Sequence, residues 1–264
     1  MNLPGRRLRN VLRSFHRLFL YCGFDPQGLL RLRHLGKFLS DWRKYQRSNT
    51  VPSFRIQLES LCPILGDFHG SAGEVLDDYF HQDLWAARKI YRARPPRHVD
   101  IGSRIDGFIA HLLVFMPVEY VDIRPLPHPV KDLAVIQSDA TWLSMFSDDS
   151  IPSLSSLHVG EHFGLGRYSD PIAPMACFAF MSSLARVLAP GGRLYFSTPV
   201  GRERVEFNAH RVFALPTVLS HFNTLKLLSF SYVDDLGRLH EDADPRDFPQ
   251  QSQYACGLFE FTKE

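Results

Sequence analysis

Apolar positions between residues 97 and 124 change their period twice. His98 to Ile101 is a short apolar-rich run that stops at Gly102. Phe108, Ile109, Leu112, Leu113 and Phe115 then recur at helical spacing, and Glu119 to Ile123 is extended again after Pro117 has closed the helix. Strand, glycine turn, helix and strand in that order predict a βαβ crossover, which implies a parallel sheet. Asp122 falls at the carboxyl end of the second strand, twenty residues after Gly102. A nucleoside-binding α/β fold keeps a carboxylate there for the ribose hydroxyls.

The alternation continues downstream. Ala134 to Ser138 predicts a third strand, followed by Asp139, whose carboxylate is placed to accept a hydrogen bond from an adenine amino group. Leu154 to Val159 predicts a fourth, ending in Gly160-Glu161-His162. Ile172 to Leu188 reads as a long apolar helix, Ala189-Pro190-Gly191-Gly192 as a tight turn, and Arg193 to Ser197 as a fifth strand. A helix near Leu215 to His221, a strand at Leu225 to Tyr232, an acidic loop at residues 234–247 and a last strand at Tyr254 to Thr262 follow. Strands alternating with helices and then a terminal pair predict an α/β architecture.

Upstream, Leu8, Val11, Leu12, Phe15, Leu18, Phe19 and Cys22 fall on one helical stripe, with Arg6, Arg9, Arg13 and Arg17 on other faces. Such a stripe fits an anionic membrane surface or, more plainly, the main domain. A second helix is expected from Asp25 as N-cap and Pro26 in the first turn, with Leu32, Leu35, Phe38, Leu39 and Trp42 along one side. Residues 48–73 read as an irregular connector rich in Pro and Gly. Glu74 to Arg92 turns helical again, with Leu76, Tyr79, Phe80, Leu84 and Ile90 as its stripe. That helix either brings Tyr79, His81, Gln82 or Asp83 to a bound cofactor or merely caps and solvates itself with them. The expected organisation is a basic helical extension and connector over residues 1–73 and one catalytic-type domain over 74–264.

Composition changes this picture in few places. With 264 residues, 45% apolar and 22% charged, the chain supports one sizeable α/β domain plus an extension. A formal charge of +2 hides a local excess: residues 1–47 hold eleven Lys or Arg against Asp25 and Asp41. Cys22, Cys62, Cys177 and Cys256 lie far apart, without the paired spacing of a zinc site and with no secretory leader before them. Reduced thiols in a cytoplasmic protein are expected. No apolar run approaches the roughly 20 residues that span a bilayer, and contact with the inner membrane surface would be peripheral, through residues 1–22. No interleaved aromatic and basic stripe points to nucleic acid.

The order of motifs resembles the class I S-adenosylmethionine-dependent methyltransferase fold: an acid-x-Gly turn, an acid closing strand two, an acid after strand three, Leu-x-Pro-Gly-Gly before strand five and a final hairpin. Val-Leu-Ala-Pro-Gly-Gly-Arg-Leu-Tyr-Phe-Ser-Thr-Pro at 187–199 carries most of it. Tyr-Phe-His-Gln-Asp-Leu (79–84), His-Val-Asp-Ile-Gly-Ser-Arg-Ile-Asp-Gly-Phe (98–108), Gly-Glu-His-Phe-Gly-Leu-Gly-Arg-Tyr-Ser-Asp-Pro (160–171), Phe-Asn-Ala-His-Arg-Val-Phe (207–213) and Phe-Ser-Tyr-Val-Asp-Asp (230–235) are similar to a bacterial family of unknown function with that fold, often associated with polysaccharide gene clusters. The resemblance covers residues 75–264. It implies a Rossmann-like, mostly parallel seven-stranded sheet with a terminal antiparallel hairpin. It also implies S-adenosylmethionine as cofactor, held by Asp100, Gly102, Ser103, Gly107, Asp122 and Asp139. In the wider superfamily two further glycines follow the first at alternate positions, where this chain has Arg104 and Asp106, and Gly107 compensates only in part. Side chains there would narrow the cleft or shift the methionine end of the cofactor. The plainer reading of Asp122 and Asp139 is that each caps a loop through backbone amides.

Methyl transfer to oxygen needs a base beside the hydroxyl or a metal that lowers its pKa, and His158-x-x-Glu161-His162 offers either. The spacing also matches an inverted zinc-peptidase signature, which needs an unbroken helix, and Gly160 interrupts it. Superfamily O-methyltransferases acting on small-RNA ribose or quinone precursors place an acid-x-x-Glu-His group after strand four and bind a divalent ion there; His158 replaces the first acid in this chain. Glu161, His162 and, downstream, His210 are the catalytic candidates. A divalent metal would draw on His158, Glu161, His162 and His210, and in a purely structural reading these side chains hold the glycine-rich loop. Arg167, Tyr168, Asp170, Arg202, Arg204, Asn208 and Arg211 are expected around the same rim, where arginines can pair with phosphate or carboxylate on an acceptor. The expected function is O-methylation of a glycan, nucleotide-sugar or related small metabolite. The alternatives are a non-catalytic binding protein of the same fold and a nicotinamide-dependent oxidoreductase, the latter without its Gly-x-Gly-x-x-Gly turn.

Overall fold

The computed structural model describes residues 15, 16, 18–69 and 78–264, and the chain divides into a unit ending at Gly73 and a unit beginning at Glu74. In the first unit, helices α1 (Pro26–Arg31) and α2 (Leu35–Ser48) are joined by a tighter turn. No residue of α2 is buried. Lys37 reaches Asp41 one turn on at 2.5 Å and lies over the Phe68 ring at 4.7 Å. Residues 49–69 hold only three single turns, at Pro52–Phe54, Leu58–Ser60 and Asp67–His69. The first half of the amphipathic stripe, Leu8, Val11 and Leu12 with Arg6, Arg9, Arg13 and Arg17, lies outside the described residues, as do Glu74 and Leu76. Its second half is exposed: Phe15 by 56%, Leu18 by 59% and Phe19 by 49%.

The second unit opens with α3 (Asp78–Ala93) and then builds a sheet of eight of its ten strands. These are β1 (Val99–Ile101), β2 (Val118–Asp122), β3 (Leu133–Gln137), β4 (Ile151–Leu157), β5 (Leu188–Val200), β8 (Lys226–Val233), β9 (Leu239–His240) and β10 (Ala255–Thr262). They lie in the order β3-β2-β1-β4-β5-β10-β8-β9. The first five are mutually parallel and β10, β8 and β9 join antiparallel. This is the Rossmann-like class I methyltransferase fold, a mostly parallel sheet closed by an antiparallel hairpin, with the two-residue β9 added. Apolar layers cover both faces. Phe180, Met181 and Leu184 of α5 (Ala176–Val187) belong to one, and Trp85, Ala86 and Ile90 of α3 to the other. Full burial of side chains of this size stabilises by about 1.5–3 kcal/mol each.

Several elements differ from expectation for local reasons. The Pro-Gly-Gly stretch does not separate a helix from a strand: β5 already starts at Leu188, and residues 189–192 bulge between the Ile151↔Leu188 and Ser153↔Arg193 pairings. Gly191 supplies a φ of +72° there. Helix α5 begins at Ala176 rather than near Ile172, because Pro171 and Pro174 keep the chain before it extended. Strands β6 (Arg204–Glu206) and β7 (His210–Val212) form an unexpected hairpin, turned by Asn208 at φ +62°. Three-residue strands carry too few positions for alternation to show. Between Gly102 and Pro117 the helix is short: a wide π-turn at Ile105–Ile109 runs into α4 (Ala110–Leu112).

From β1 the chain crosses one way to β2 and β3, and from β4 the other way to β5. The carboxyl ends of β1 and β4 therefore diverge, and a crevice opens between the loops that follow them.

Candidate functional site

A cavity of about 410 Å³ occupies that crevice, with Gly102, Asp122, Asp139, His158, His162 and Tyr168 among its walls. Gly102 sits at φ +71°, and a Cβ there would stand 2.8 Å from Val159 Cγ1. The turn after β1 thus passes against the end of β4 only because it lacks a side chain. Asp100 and Ser103 shape this turn from beneath. The buried Asp100 carboxylate accepts from Ser103 N (3.0 Å), Ser103 Oγ (2.7 Å) and Ser155 Oγ (2.5 Å). Burial pushes its pKa up to about 7 against the pull of those donors. Just before that strand His98 bridges Ser153 and Ser155 at 2.7 and 2.9 Å, and burial takes its pKa down to about 3.

Neither Asp100 nor Ser103 lines the cavity, and neither does Gly107, which packs closely on the Asp83 carboxylate. The two residues at superfamily glycine positions also face elsewhere. Arg104 and Asp106 pair with each other at 2.9 Å, exposed by 49% and 76%, with the Arg104 guanidinium over the Tyr79 ring. The expected narrowing of the cleft therefore does not occur, because the π-turn carries both side chains out to solvent. From α3, Gln82 and Asp83 are buried. Gln82 Oε1 accepts from Ser197 Oγ at 2.5 Å, while Tyr79 meets the His158 ring edge-on at 5.3 Å. With His81 they stand behind the cavity wall rather than in it.

Asp122 closes β2, reaches the cavity and is 7% exposed. Its carboxylate accepts from four donors: Tyr120 Oη at 2.8 Å, Arg124 N at 2.8 Å, Arg124 Nε at 2.9 Å and Arg124 Nη2 at 2.6 Å. Burial works to raise its pKa, and the Arg124 and Tyr120 donors outweigh that and hold it below the usual carboxylate range. Arg124 is a functional residue that hydrophobic patterning does not mark. The available signal was its spacing, since residues i and i+2 of an extended chain project to one side. Asp139 is likewise both cap and wall: Oδ1 accepts from Thr141 N (2.8 Å) and Thr141 Oγ1 (2.7 Å), beside Trp142, which is 66% exposed.

After β4 a single turn, Gly160–His162, places the second group. Glu161 is 1% exposed, with Oε1 3.7 Å from His162 Nε2 and no hydrogen-bond partner for Oε2. Burial pushes this carboxyl up to about 8, so it is mostly protonated at pH 7. His162 Nδ1 lies 2.7 Å from the Ala209 carbonyl oxygen. A carbonyl only accepts, so Nδ1 carries the hydrogen and Nε2 keeps the lone pair. Burial, and then the Arg167 charge, lower the His162 pKa to about 4. His158 is held at φ +55°, a costly conformation for a residue with a Cβ. Burial lowers its pKa to about 3, and its Nε2 has no hydrogen-bond partner. His210 opens β7, with Nε2 3.7 Å from Glu206 Oε2 and its ring 5.0 Å from that of Tyr254. The contact that reaches His162 from this hairpin is the Ala209 carbonyl.

The divalent-metal option finds no support in the placement of these side chains. Zinc-type ligands stand about 2.0–2.2 Å from a common ion. The Nδ1–H bond to Ala209 O leaves His162 Nε2 as the ring nitrogen able to ligate, but among the described residues no three His, Cys, Asp or Glu side chains form a group that could hold an ion. The rim residues also divide. Arg211 is buried and donates to the carbonyls of Glu161, Phe163 and Pro174. Asp170 accepts from the amides of Gly164, Gly166 and Tyr168, Arg204 pairs with Glu206, and Asn208 reaches Leu165 O at 3.5 Å. These hold loops. Arg202 is exposed, and Arg167 and Tyr168 stand at the cavity mouth: Tyr168 lines it, and Arg167 Nη1 donates to Ala209 O at 2.9 Å.

A family model described as "Caenorhabditis protein of unknown function, DUF268" matches residues 131–241. That span includes Asp139, Glu161, His162 and His210 but neither Gly102 nor Asp122. No curated protein matches the sequence. Among solved structures, the chain is similar to the 1,6-didemethyltoxoflavin-N1-methyltransferase of Burkholderia thailandensis with bound 1,6-didemethyltoxoflavin and S-adenosylhomocysteine: 12% identity over 69% of this chain and 79% of that one, TM-score 0.48. It is also similar to the N-methyltransferase NodS of Bradyrhizobium japonicum with S-adenosylhomocysteine, at 13% identity over 74% and 93%, TM-score 0.47. A third similar structure is the [4+2]-cyclase SpnF, at 12% identity over 69% and 81%, TM-score 0.48.

Proposed function

We propose that the protein is an S-adenosylmethionine-dependent methyltransferase that methylates an oxygen of a small, sugar-like acceptor such as a glycan or nucleotide-sugar. One observation carries this reading: Gly102, Asp122 and Asp139 stand in order around a single cavity at the switch point of the sheet, and the His162 ring lies in its wall. When bound, S-adenosylmethionine would supply an electrophilic methyl group, its sulfonium S–CH3 bond breaking to leave S-adenosylhomocysteine as the acceptor oxygen takes the methyl. Toward it, Gly102 allows close backbone approach, Asp122 offers a carboxylate to ribose hydroxyls, and Asp139 with Thr141 stands where an adenine would lie. His162 Nε2 takes the acceptor's hydroxyl proton as the new O–C bond forms. Glu161, 3.7 Å away and mostly protonated at pH 7, stabilises the imidazolium in its ionised form, so this help grows as the pH rises toward 8.

The two rivals are less well supported. A non-catalytic binding protein would be favoured if Arg104 and Asp106 blocked the cleft, and both sit outside it. A nicotinamide enzyme would want a glycine-rich pyrophosphate turn that the chain lacks. Calorimetry with S-adenosylmethionine, S-adenosylhomocysteine and NAD separates the three. The expected result is heat with the first two alone, followed by methyl transfer from labelled cofactor to a member of a nucleotide-sugar and glycan panel, insensitive to a chelator. Heat without transfer to any acceptor favours the binding protein, and heat with NAD alone favours the oxidoreductase.

For the first unit the reading is peripheral contact of residues 1–22 with an anionic lipid surface on the cytoplasmic side. Support comes from the exposed Phe15, Leu18 and Phe19 and from twelve Lys or Arg against four Asp or Glu over residues 1–73. No helix among the described residues is long and apolar enough to cross a membrane. Co-sedimentation with anionic liposomes at low salt is expected for the full chain and absent for a chain starting at Phe24.

A further inference from the structure

The Asp122 carboxylate offers about four lone-pair directions, and four donors already fill them. A ribose diol therefore gains Asp122 only when a donor leaves. Tyr120 is 3% exposed, and its hydroxyl, whose one hydrogen goes to the charged Asp122 carboxylate, also lies 2.9 Å from Ser103 O. The Arg124 amide is part of the chain turn after β2. The movable donor is the Arg124 guanidinium, whose side chain is 53% exposed. It has a second attachment, since its carbon lies 4.8 Å from the centre of the Tyr168 ring. The guanidinium of Arg167 lies 5.3 Å from the centre of the same ring. Tyr168 is thus in contact with two arginines at the mouth of the cavity. Among the described residues Arg167 forms no ion pair; it donates to the Ala209 carbonyl. The nearby acids do not compensate this charge freely: Asp170 is taken up by the amides of Gly164, Gly166 and Tyr168, and Asp139 by Thr141.

We propose that Arg124 is an exchangeable arginine: a nucleoside entering the cavity displaces it from Asp122, and Arg124 with Arg167 then forms a two-guanidinium site beside Tyr168 for the phosphate or carboxylate of the acceptor. This rests on the nucleoside-binding reading given above and deepens it in two ways. The acceptor is an anion, and it binds after the nucleoside, because the first ligand unmasks the second site. Guanidinium forks match both oxyanions in bidentate geometry, and two of them with an aromatic platform select a tethered anion over a neutral sugar.

Titration calorimetry on the full chain tests this, with S-adenosylhomocysteine as nucleoside and pyrophosphate or citrate as anion. In the unaltered protein pyrophosphate is expected to bind at least about tenfold more tightly when S-adenosylhomocysteine is saturating, a coupling of roughly 1.4 kcal/mol. Arg124→Gln removes the masking fork, so S-adenosylhomocysteine binds several-fold more tightly and the coupling disappears. Arg167→Gln leaves S-adenosylhomocysteine affinity at the unaltered level and lowers pyrophosphate affinity. A tighter response to pyrophosphate than to citrate identifies a phosphate acceptor, and the reverse a carboxylate one. Equal pyrophosphate affinity with and without the nucleoside overturns the exchange, as does weaker nucleoside binding in Arg124→Gln. If neither the unaltered protein nor Arg124→Gln binds S-adenosylhomocysteine, the methyltransferase reading itself has failed and the exchange falls with it. Circular dichroism of each variant confirms that the exposed substitutions leave the fold intact.

Discussion

Asp122 and Glu161 are carboxyl groups at the carboxyl ends of strands in one parallel sheet, beside one cavity, and their surroundings drive them to opposite charge states. Asp122 has four donors and is held ionised below the ordinary carboxylate range, although it is largely buried. Glu161, with no donor on Oε2, is pushed up to about 8 and is neutral at pH 7. Burial acts in the same direction on both. The difference is the supply of hydrogen-bond donors, and it separates a fixed negative charge suited to binding from a proton carrier suited to chemistry.

The largest expected effect tests the proton-carrier half. His162→Ala should lower turnover by about 10²- to 10⁴-fold, the usual contribution of base catalysis, while S-adenosylhomocysteine affinity stays nearly constant. Steady-state rates with the acceptor found above, set beside calorimetry, check it. Full activity in a variant lacking both His162 and His210 would sink the chemistry and leave the loop structural.

Next in size is the binding half. Asp122→Ala should weaken S-adenosylhomocysteine by about 1.5–3 kcal/mol, the range for hydrogen bonds to a charged group. Calorimetry reads this directly, and an unchanged affinity removes Asp122 from the site.

The contrast in charge also predicts two pH dependences. Glu161 has a folded pKa of about 8 against an ordinary value of 4.5, so the native state binds the extra proton between those values. Its contribution to stability is therefore fully present below about pH 4.5 and lost as the pH rises toward 8. Glu161→Gln should remove that loss, so its melting temperature gains on the unaltered protein between pH 5 and pH 8, by a few degrees on the order expected for 1 kcal/mol in a domain of this size. Turnover should rise through about pH 8 in the unaltered enzyme, and that limb should vanish in the variant. For His162, lowered to about 4, the sign is opposite: its contribution is present above pH 6.5 and lost as the pH falls through 4.

The smallest effect is expected from Arg104→Ala and Asp106→Ala. Both residues are exposed and paired with each other, so each change should cost under about 1 kcal/mol and leave S-adenosylhomocysteine affinity unaltered. Denaturant melts and calorimetry check this. A large affinity change would mean that the turn closes over the ligand.

Much of the fold was legible because it is written in local patterns. Gly102 after an apolar run, Asp122 at the end of the next, and the Pro-Gly-Gly stretch each reflect a backbone demand that one residue or its immediate neighbours decide. The β6–β7 hairpin was not, since three-residue strands are too short to show a period, and the bulge in β5 was taken for a turn because glycine serves both. In the site, residue types were legible and their relations were not. Glu161 and His162 stood out by composition and spacing. The commitment of His162 Nδ1 to Ala209 O joins positions 47 residues apart, and no periodicity encodes such a contact.

The sequence by itself determined the order of strands and helices, the glycine at the turn and the acids that follow β2 and β3, because hydrophobic period and backbone permissiveness act over a few residues. The tertiary structure alone decided the charge state of Glu161, the acid that follows β4. Ionisation depends on burial set against donors: Asp122 keeps its charge through Tyr120 and Arg124, two residues to either side of it, while Glu161 is packed to 1% exposure with no partner for Oε2.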